Sequence, residues 1–310
     1  MKGAAMQIDI LAAESLGVRG LCCFIEAQGR KILIDPGIAL GYLRKGLLPH
    51  PAQVAVDEAI RTRIVEAWTQ ATDIVFSHFH GDHVPLVGAN PYQLDAHAVI
   101  DRNPRVRIWT KPPESLSPTE QKRTTSLEAV LDADWRIGLE SHGPMTFSPP
   151  VPHGEKADPC ETVMMTKVRD KAVFVHASDI QLLDDAVISL VLRWKPDILL
   201  AGGPPLYLRH LREDQRDRAW NNALRLATAV DRLILDHHLL RSWEGLEWLR
   251  RLSKASGREV LCAADFMGKP RLLLEADRVR LYGDMPPPFA WHEDYAAGKA
   301  TTHGFRKFIS

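Results

Sequence analysis

The chain has 310 residues, with 39 Lys and Arg balanced by 39 Asp and Glu, so its formal net charge is zero. That length allows one large domain or two ordinary ones, and 45% apolar with 25% charged residues excludes a disordered, collagenous or coiled-coil chain. The balance gives no support to attraction of nucleic acid or an anionic membrane through overall charge.

The first forty residues read as strands. Residues 6–12, 21–27 and 31–35 are short apolar runs. Gln28-Gly29 marks a tight hairpin between the last two, and Asp35-Pro36-Gly37 stops the third strand. Val56, Ile60, Ile64, Val65 and Trp68 recur at helical spacing, predicting a helix over 56–71. A strand over 73–77 runs directly into His78-Phe79-His80-Gly81-Asp82-His83.

Residues 84–145 are less regular and read as an insertion or lid-like excursion within a single 1–310 domain. They hold a strand at 105–110 and a helix opened by Ser117-Pro118-Thr119-Glu120, whose Ser and Glu fit a capping box. Residues 161–168 and 171–177 predict a second hairpin, with Asp179 following. A helix near 184–194, a strand at 197–201, Gly202-Gly203-Pro204-Pro205 and a helix running from Pro204 to Val230 come next. The remaining expectations are a strand at 232–236, a helix at 242–256, a strand at 259–264, a helix near 270–279 and a surface-wrapping tail. Hairpins early and alternating strand and helix later suit an α/β fold with helices outside two packed sheets, a four-layer αββα sandwich.

Cys22, Cys23, Cys160 and Cys262 form no CxxC pair. Neighbours Cys22 and Cys23 would face opposite sides of a strand, so reduced thiols and a cytoplasmic setting are expected. The N-terminal apolar stretch is broken by Asp9 and Glu14, which argues against a signal peptide. No run approaches a membrane-spanning length.

Thirteen histidines are in excess for this length, and their pattern is informative. His78-x-His80-x-Asp82-His83 places four donors in six residues after an apolar strand. Imidazole and carboxylate are ligands for Zn²⁺, Fe²⁺ or Mn²⁺. In extended chain, i and i+2 face one way, so His78 and His80 can grip one ion, while the turn at Gly81 aims Asp82 and His83 toward a second. Further candidates stand at strand ends: His153 before a hairpin, Asp179 after VFVHAS, and His237 after RLILD. His142 rivals His153, and His238 rivals His237. Asp35 and Asp236 are candidates to accept hydrogen bonds from the ligand imidazoles, with strand-end capping the equal alternative.

With ILIDPG at 32–37, FSHFHGDH at 76–83, PHG at 152–154, SD at 178–179 and LILDH at 233–237, the sequence resembles the metallo-β-lactamase fold superfamily. AESLGVRG at 13–20 and DHHLLRS at 236–242 narrow the likeness to one prokaryotic group, which implies no particular activity. The resemblance implies that His78, His80 and His153 hold a first metal and that Asp82, His83 and His237 hold a second. Asp179 then lies between the two, and a bridging water is activated. Two divalent cations are expected, zinc first, with iron or manganese as alternatives. Asp82 and Asp179 are the catalytic candidates, Asp82 as a proton acceptor or relay. A well-known β-lactamase subclass carries a Cys ligand where this chain has Asp179, and the flavodiiron branch carries Glu where it has His80. Both departures favour hydrolysis of a phosphodiester, small ester or lactone over antibiotic hydrolysis or redox chemistry.

Partners are therefore expected to be a small molecule or a phosphoester, without a membrane. Phosphodiesterase or nuclease activity is slightly favoured, and nucleic acid stays open as a partner although net charge gives it no support. Two other classes remain open: a metal-stabilised binding protein and an iron-dependent oxidoreductase. For substrate, Gly202 and Gly203 before a helix start suggest an anion site, with Tyr207 and Arg209 just beyond. Lys111, Lys122 and Arg123 give the 84–145 segment basic character, chiefly as a solvated face.

Overall fold

The computed structural model describes residues 6–155 and 161–308. The first sheet contains β1 (Gln7–Ile10), β2 (Cys23–Ala27) and β3 (Arg30–Ile34). Helix α1 (Pro51–Gln70) leads to β4 (Asp73–Phe76), β5 (Val106–Thr110), helix α2 (Pro118–Glu128) and β6 (Ala133–Ile137). The strands lie in sequence order, antiparallel from β1 to β3 and parallel from β3 to β6. Gln28 and Gly29 both take positive φ, 48° and 74°, as a tight two-residue hairpin requires. The segment 84–145 thus supplies β5 and β6 to the main sheet, with α2 between them.

The second half forms β7 (Ser141–His142), β8 (Met145–Phe147), β9 (Val151–Pro152), β10 (Thr162–Val163), β11 (Thr166–Arg169) and β12 (Val173–His176). Helix α3 (Asp185–Arg193), β13 (Ile198–Ala201), helix α4 (Glu213–Ala229) and β14 (Arg232–Leu235) follow. Its sheet has the order β14-β13-β12-β11-β8-β7, parallel across β12, β13 and β14. Thr162–Val163 pairs with β9 and leaves the expected long hairpin to β11 and β12. Helices α5 (Trp243–Ser256), α6 (Ala263–Phe266), α7 (Arg278–Asp284) and α8 (Trp291–Ala296) complete the chain. Helix α1 packs on β3, α4 and α6 pack on β14, and α5 lies against α4. The fold is the four-layer α/β sandwich of the metallo-β-lactamase type.

Several boundaries depart from the sequence reading. Helix α1 starts at Pro51 rather than 56, because His50 Nδ1 accepts the Ala52 N–H at 3.1 Å and the apolar first turn is buried. Imidazole is not among the favoured caps, so that start leaves no usual signal. Helix α4 starts at Glu213 rather than Pro204. Pro205 biases Pro204 away from the helical region, and 204–212 forms turns instead. The expected strand at 259–264 reduces to a single bridge from Leu261 to Ile234, and the helix expected near 270–279 starts at Arg278. The capping box forms as read: Ser117 Oγ accepts the Glu120 N–H at 3.3 Å, and Glu120 Oε2 accepts the Ser117 N–H at 2.9 Å.

What positions the site is the direction of the parallel strands. Chain emerging from β3 and β4 in one sheet, and from β12, β13 and β14 in the other, comes out at the carboxyl edges. Such edges are where open α/β sheets place ligands. Here the residues following these strands meet.

Candidate metal centre

Oδ2 of Asp179, just after β12, is the hub. It lies 3.1 Å from Nε2 of His83, 3.2 Å from His238, 3.4 Å from His153, 3.5 Å from His237 and 3.7 Å from His78. Asp82 Oδ2 stands 3.5 Å from His237 Nε2. The His80 ring lies 4.4 Å from His78 and 5.6 Å from His153, centroid to centroid. Four overlapping groupings of donors, each of a span that could hold a metal ion, follow among the described residues: Asp35, His78 and His83; His78, His80 and Asp179; Asp82, His83 and His237; and His153, Asp179 and His238. All seven residues singled out from the sequence thus converge.

The two rivals separate differently. His142 lies in β7, its ring 4.7 Å from Trp109, and belongs to no donor group. His238 joins His153 and Asp179, so the structure brings both His237 and His238 to the hub.

The donor set fits divalent cations. Buried Nε2 of His78, Nε2 of His83 and Oδ1 of Asp179 make no hydrogen bond. Clustered bare lone pairs are costly to bury unless something charged satisfies them. Burial first, then neighbouring imidazoles, holds His78 well below its ordinary range, and burial lowers His80, His237 and His238 as well. Neutral imidazole is the form that binds metal. Burial also opposes the charge of Asp179, but His237, His83 and His238 outweigh it and hold the carboxyl well below its ordinary value. His83 is the exception among the imidazoles. Asp179 and Asp35 on its two nitrogens overcome burial and raise it.

A second layer of contacts orients these donors. Asp35, fully buried after β3, accepts the Ser77 N–H at 2.8 Å and the Ser77 hydroxyl at 2.7 Å. The same carboxylate takes Ser178 Oγ at 3.1 Å and His83 Nδ1 at 2.9 Å. Ser77 Oγ also meets His78 Nδ1 at 2.9 Å and Ser178 Oγ at 2.7 Å, tying the two sheets together. A carboxylate on Nδ1 leaves His83 Nε2 as the bare lone pair. Asp236, by contrast, accepts the Ser15, His237 and Ala263 N–H groups and no imidazole, so its role is strand-end capping.

Asp35, Ser178 and His237 all carry positive φ, at 49°, 53° and 41°. Three non-glycine residues in this region at one edge are local strain, which surrounding structure maintains at functional sites. Gly37 accommodates the motif loop: a Cβ there would overlap the backbone of His83 and Val84, and its N–H donates to His83 O at 3.0 Å.

Gly202 packs against the hub, where a Cβ would lie 3.4 Å from Asp179 Oδ1. With α4 starting at Glu213, Gly202 and Gly203 precede no helix, and the expected helix-end anion site is not formed. Lys111 is buried rather than solvated, and pairs with Glu120 at 2.9 Å. Glu120 in turn accepts the Phe79 N–H at 3.1 Å, and Arg123 donates to Phe79 O at 2.7 Å. Helix α2 therefore grips the backbone between His78 and His80. Cys22, Cys23 and Cys262 are free and buried, and Cys160 lies outside the described residues.

Arg241 was not assigned from the sequence. Its Nη2 donates to His237 Nε2 at 2.7 Å and lies 3.4 Å from Asp82 Oδ2, while Nη1 meets Tyr207 Oη at 3.1 Å. Its position four residues after His237 was the available signal.

No family model matches the chain. A UPF0282 protein of Methanosarcina mazei is 47% identical over 298 residues, covering 95% of this chain and 98% of the relative. This chain belongs to the UPF0282 family. A UPF0282 protein of Thermococcus sibiricus is 34% identical, with 89% and 94% of the two chains covered. Among solved structures, the isothiocyanate hydrolase from Delia radicum gut bacteria aligns with a TM-score of 0.50 at 15% identity, over 83% of this UPF0282 chain and 96% of that one. That likeness carries the fold. None of the described helices is long and apolar enough to cross a membrane.

Proposed function

We propose that this UPF0282 protein is a metal-dependent hydrolase with a dinuclear centre, acting on a phosphoester or a small ester or lactone. The observation that carries this reading is the single Asp179 oxygen with five imidazole nitrogens around it, two of which, Nε2 of His78 and of His83, are buried with no hydrogen-bond partner. The printed name of the structural neighbour, a hydrolase, agrees with it by analogy only. His78, His80 and His153 would hold one cation, Asp82, His83 and His237 the other, with Asp179 shared. Zinc is the leading candidate, since neutral imidazole and carboxylate suit it. Two such cations lower the pKa of water and polarise an ester or phosphoryl oxygen.

The chain's own residues then do the following. Asp35 and Ser77 keep His83 and His78 aimed inward. Asp82 Oδ2 faces His237 Nε2 at 3.5 Å and Arg241 Nη2 at 3.4 Å. Burial opposes its charge, but His83, His237 and Arg241 outweigh it and hold the carboxyl well below its ordinary range. Asp82 therefore serves as a charged carboxylate of the donor set and not as the expected proton acceptor. A cavity of about 470 Å³ opens directly onto His78, His80 and His153, bounded by Ser117 and Arg123 of the α2 region. That is the size of a small-molecule site. The reading therefore favours a small substrate over nucleic acid, consistent with the neutral net charge.

The test combines elemental analysis of the purified protein with a panel of bis-p-nitrophenyl phosphate, a lactone and a thioester. About two zincs per chain, and hydrolysis of at least one panel member that a chelator abolishes, is the expected result. Fully metallated protein inert on all three, or a single bound iron, would overturn the reading.

A further inference from the structure

A second cavity, of about 450 Å³, has Arg241 in its lining, the residue that also reaches His237 and Asp82. Arg44, Lys45, Arg209, Arg241 and Arg278 line it, against one carboxylate, Glu275. Glu275 is already engaged by Arg19 at 2.7 Å and by Arg44 at 2.5 Å. Arg278 is spent on structure, donating to Gly41 O at 2.6 Å and Gln53 Oε1 at 3.0 Å. Lys45 and Arg209 are exposed and have no ion-pair partner among the described residues. The guanidinium of Arg44 lies 4.8 Å from the Tyr207 ring centroid and that of Arg241 lies 5.8 Å from it.

Behind Arg241 stands Glu14, 3.5 Å away. Burial, with Glu275 second, holds its carboxyl well above the ordinary range, which weakens it as a counter-charge. The cavity therefore keeps a surplus of positive charge inside a neutral molecule. Its rim is apolar: Trp243 is 53% exposed and Val279 49% exposed, both unusually open for their type.

We propose that this cavity is the subsite for a phosphoryl group on the substrate, with an adjoining ring or apolar portion lying over Trp243. A dianionic group suits Arg44, Lys45, Arg209 and Arg241 better than a single carboxylate, since several guanidinium and ammonium donors can share its oxygens. Arg241 links the subsite to the centre, because the same guanidinium reaches Tyr207, His237 and Asp82. That the bound molecule is a substrate rests on the hydrolase reading above. The limited volume, about 450 Å³, suits a small phosphorylated molecule better than an extended polyanion.

Calorimetric titration of the metal-loaded protein with phenylphosphonate, benzoate and a single-stranded thymidylate 12-mer tests the subsite. Phenylphosphonate is expected to bind once per chain and saturably. Lys45→Ala and Arg209→Ala should each weaken it about tenfold, the size of one lost charge-assisted hydrogen bond. Lys122→Ala, an exposed cation elsewhere, should leave it unchanged. Equal affinity in Lys45→Ala, Arg209→Ala and the parent would place the ligand elsewhere and overturn the proposal. So would benzoate binding as tightly as phenylphosphonate, or binding of the 12-mer alone. Elemental analysis of the same variants should give the parent's metal content. Loss of binding with metal retained thus reads the subsite, whereas loss of metal reads the centre.

Discussion

Asp35→Asn isolates the contribution of the carboxylate that holds His83 through its Nδ1. One carboxylate oxygen, Oδ1, accepts the Ser77 N–H, while Oδ2 takes His83 Nδ1 at 2.9 Å and the two serine hydroxyls. Asparagine keeps one oxygen for the backbone and places an amide N–H opposite His83. The hydroxyls can rotate to suit, but His83 must move its proton to Nε2, the nitrogen facing Asp179. The loss is one charge-assisted hydrogen bond of about 2 kcal/mol. Expressed as metal affinity that is about thirtyfold, within the range for removing a carboxylate behind a ligand histidine. Competition with a chromogenic chelator, run on parent and variant, measures it. The zinc assigned to Asp82, His83 and His237 should shift most, because Asp35 bonds His83 Nδ1 directly and reaches His78 only through the Ser77 hydroxyl. A folded variant, judged by circular dichroism, with zinc affinity within about twofold of the parent would refute the orienting role.

Asp179→Ala removes the hub and should lose most bound metal and all hydrolysis of the panel; elemental analysis showing two retained zincs would refute the shared-ligand assignment. Gly37→Ala forces a Cβ into the His83 backbone and should lose metal at the Asp82, His83 and His237 group while secondary structure persists, as read by circular dichroism and metal content. His153→Ala should lower metal content, whereas His142→Ala should leave it at the parental level, since His142 sits against Trp109. Asp57 is fully buried beside Arg61, and burial raises its carboxyl to about 6 from 3.8. A raised carboxyl pKa favours folding below 3.8, and that contribution is lost as pH rises through 6. Asp57→Asn should therefore gain about 3 kcal/mol relative to the parent between pH 4 and pH 7 in denaturant unfolding; a pH-independent difference would refute this.

Much of the site was legible in the primary structure because its signals are local. HxHxDH after an apolar run, and Asp or His directly after other apolar runs, are short-range patterns. The strand direction that brings them together follows from the alternation of strand and helix. The capping box at Ser117 and Glu120 and the Gln28-Gly29 hairpin were legible for the same reason. Boundaries failed where the local signal was weak or misleading. His50 is an unusual cap, Pro204-Pro205 looked like a helix start, and Leu261 makes only one bridge.

The zero net charge and the histidine excess now read differently. Among the thirteen histidines, the sequence by itself singled out His78, His80, His83, His153 and His237, because ligand spacing and strand-end position are properties of the chain. Only the tertiary structure placed His142 apart from the donors and His238 among them, revealed Arg241, and separated Asp35, which bonds a donor imidazole, from Asp236, which caps a strand end, because these depend on which strand ends share an edge. Net charge is a sum over the whole chain and carries no positions. The cluster of Arg44, Lys45, Arg209 and Arg241 is assembled from segments up to about two hundred residues apart, so only folding could place it beside the centre.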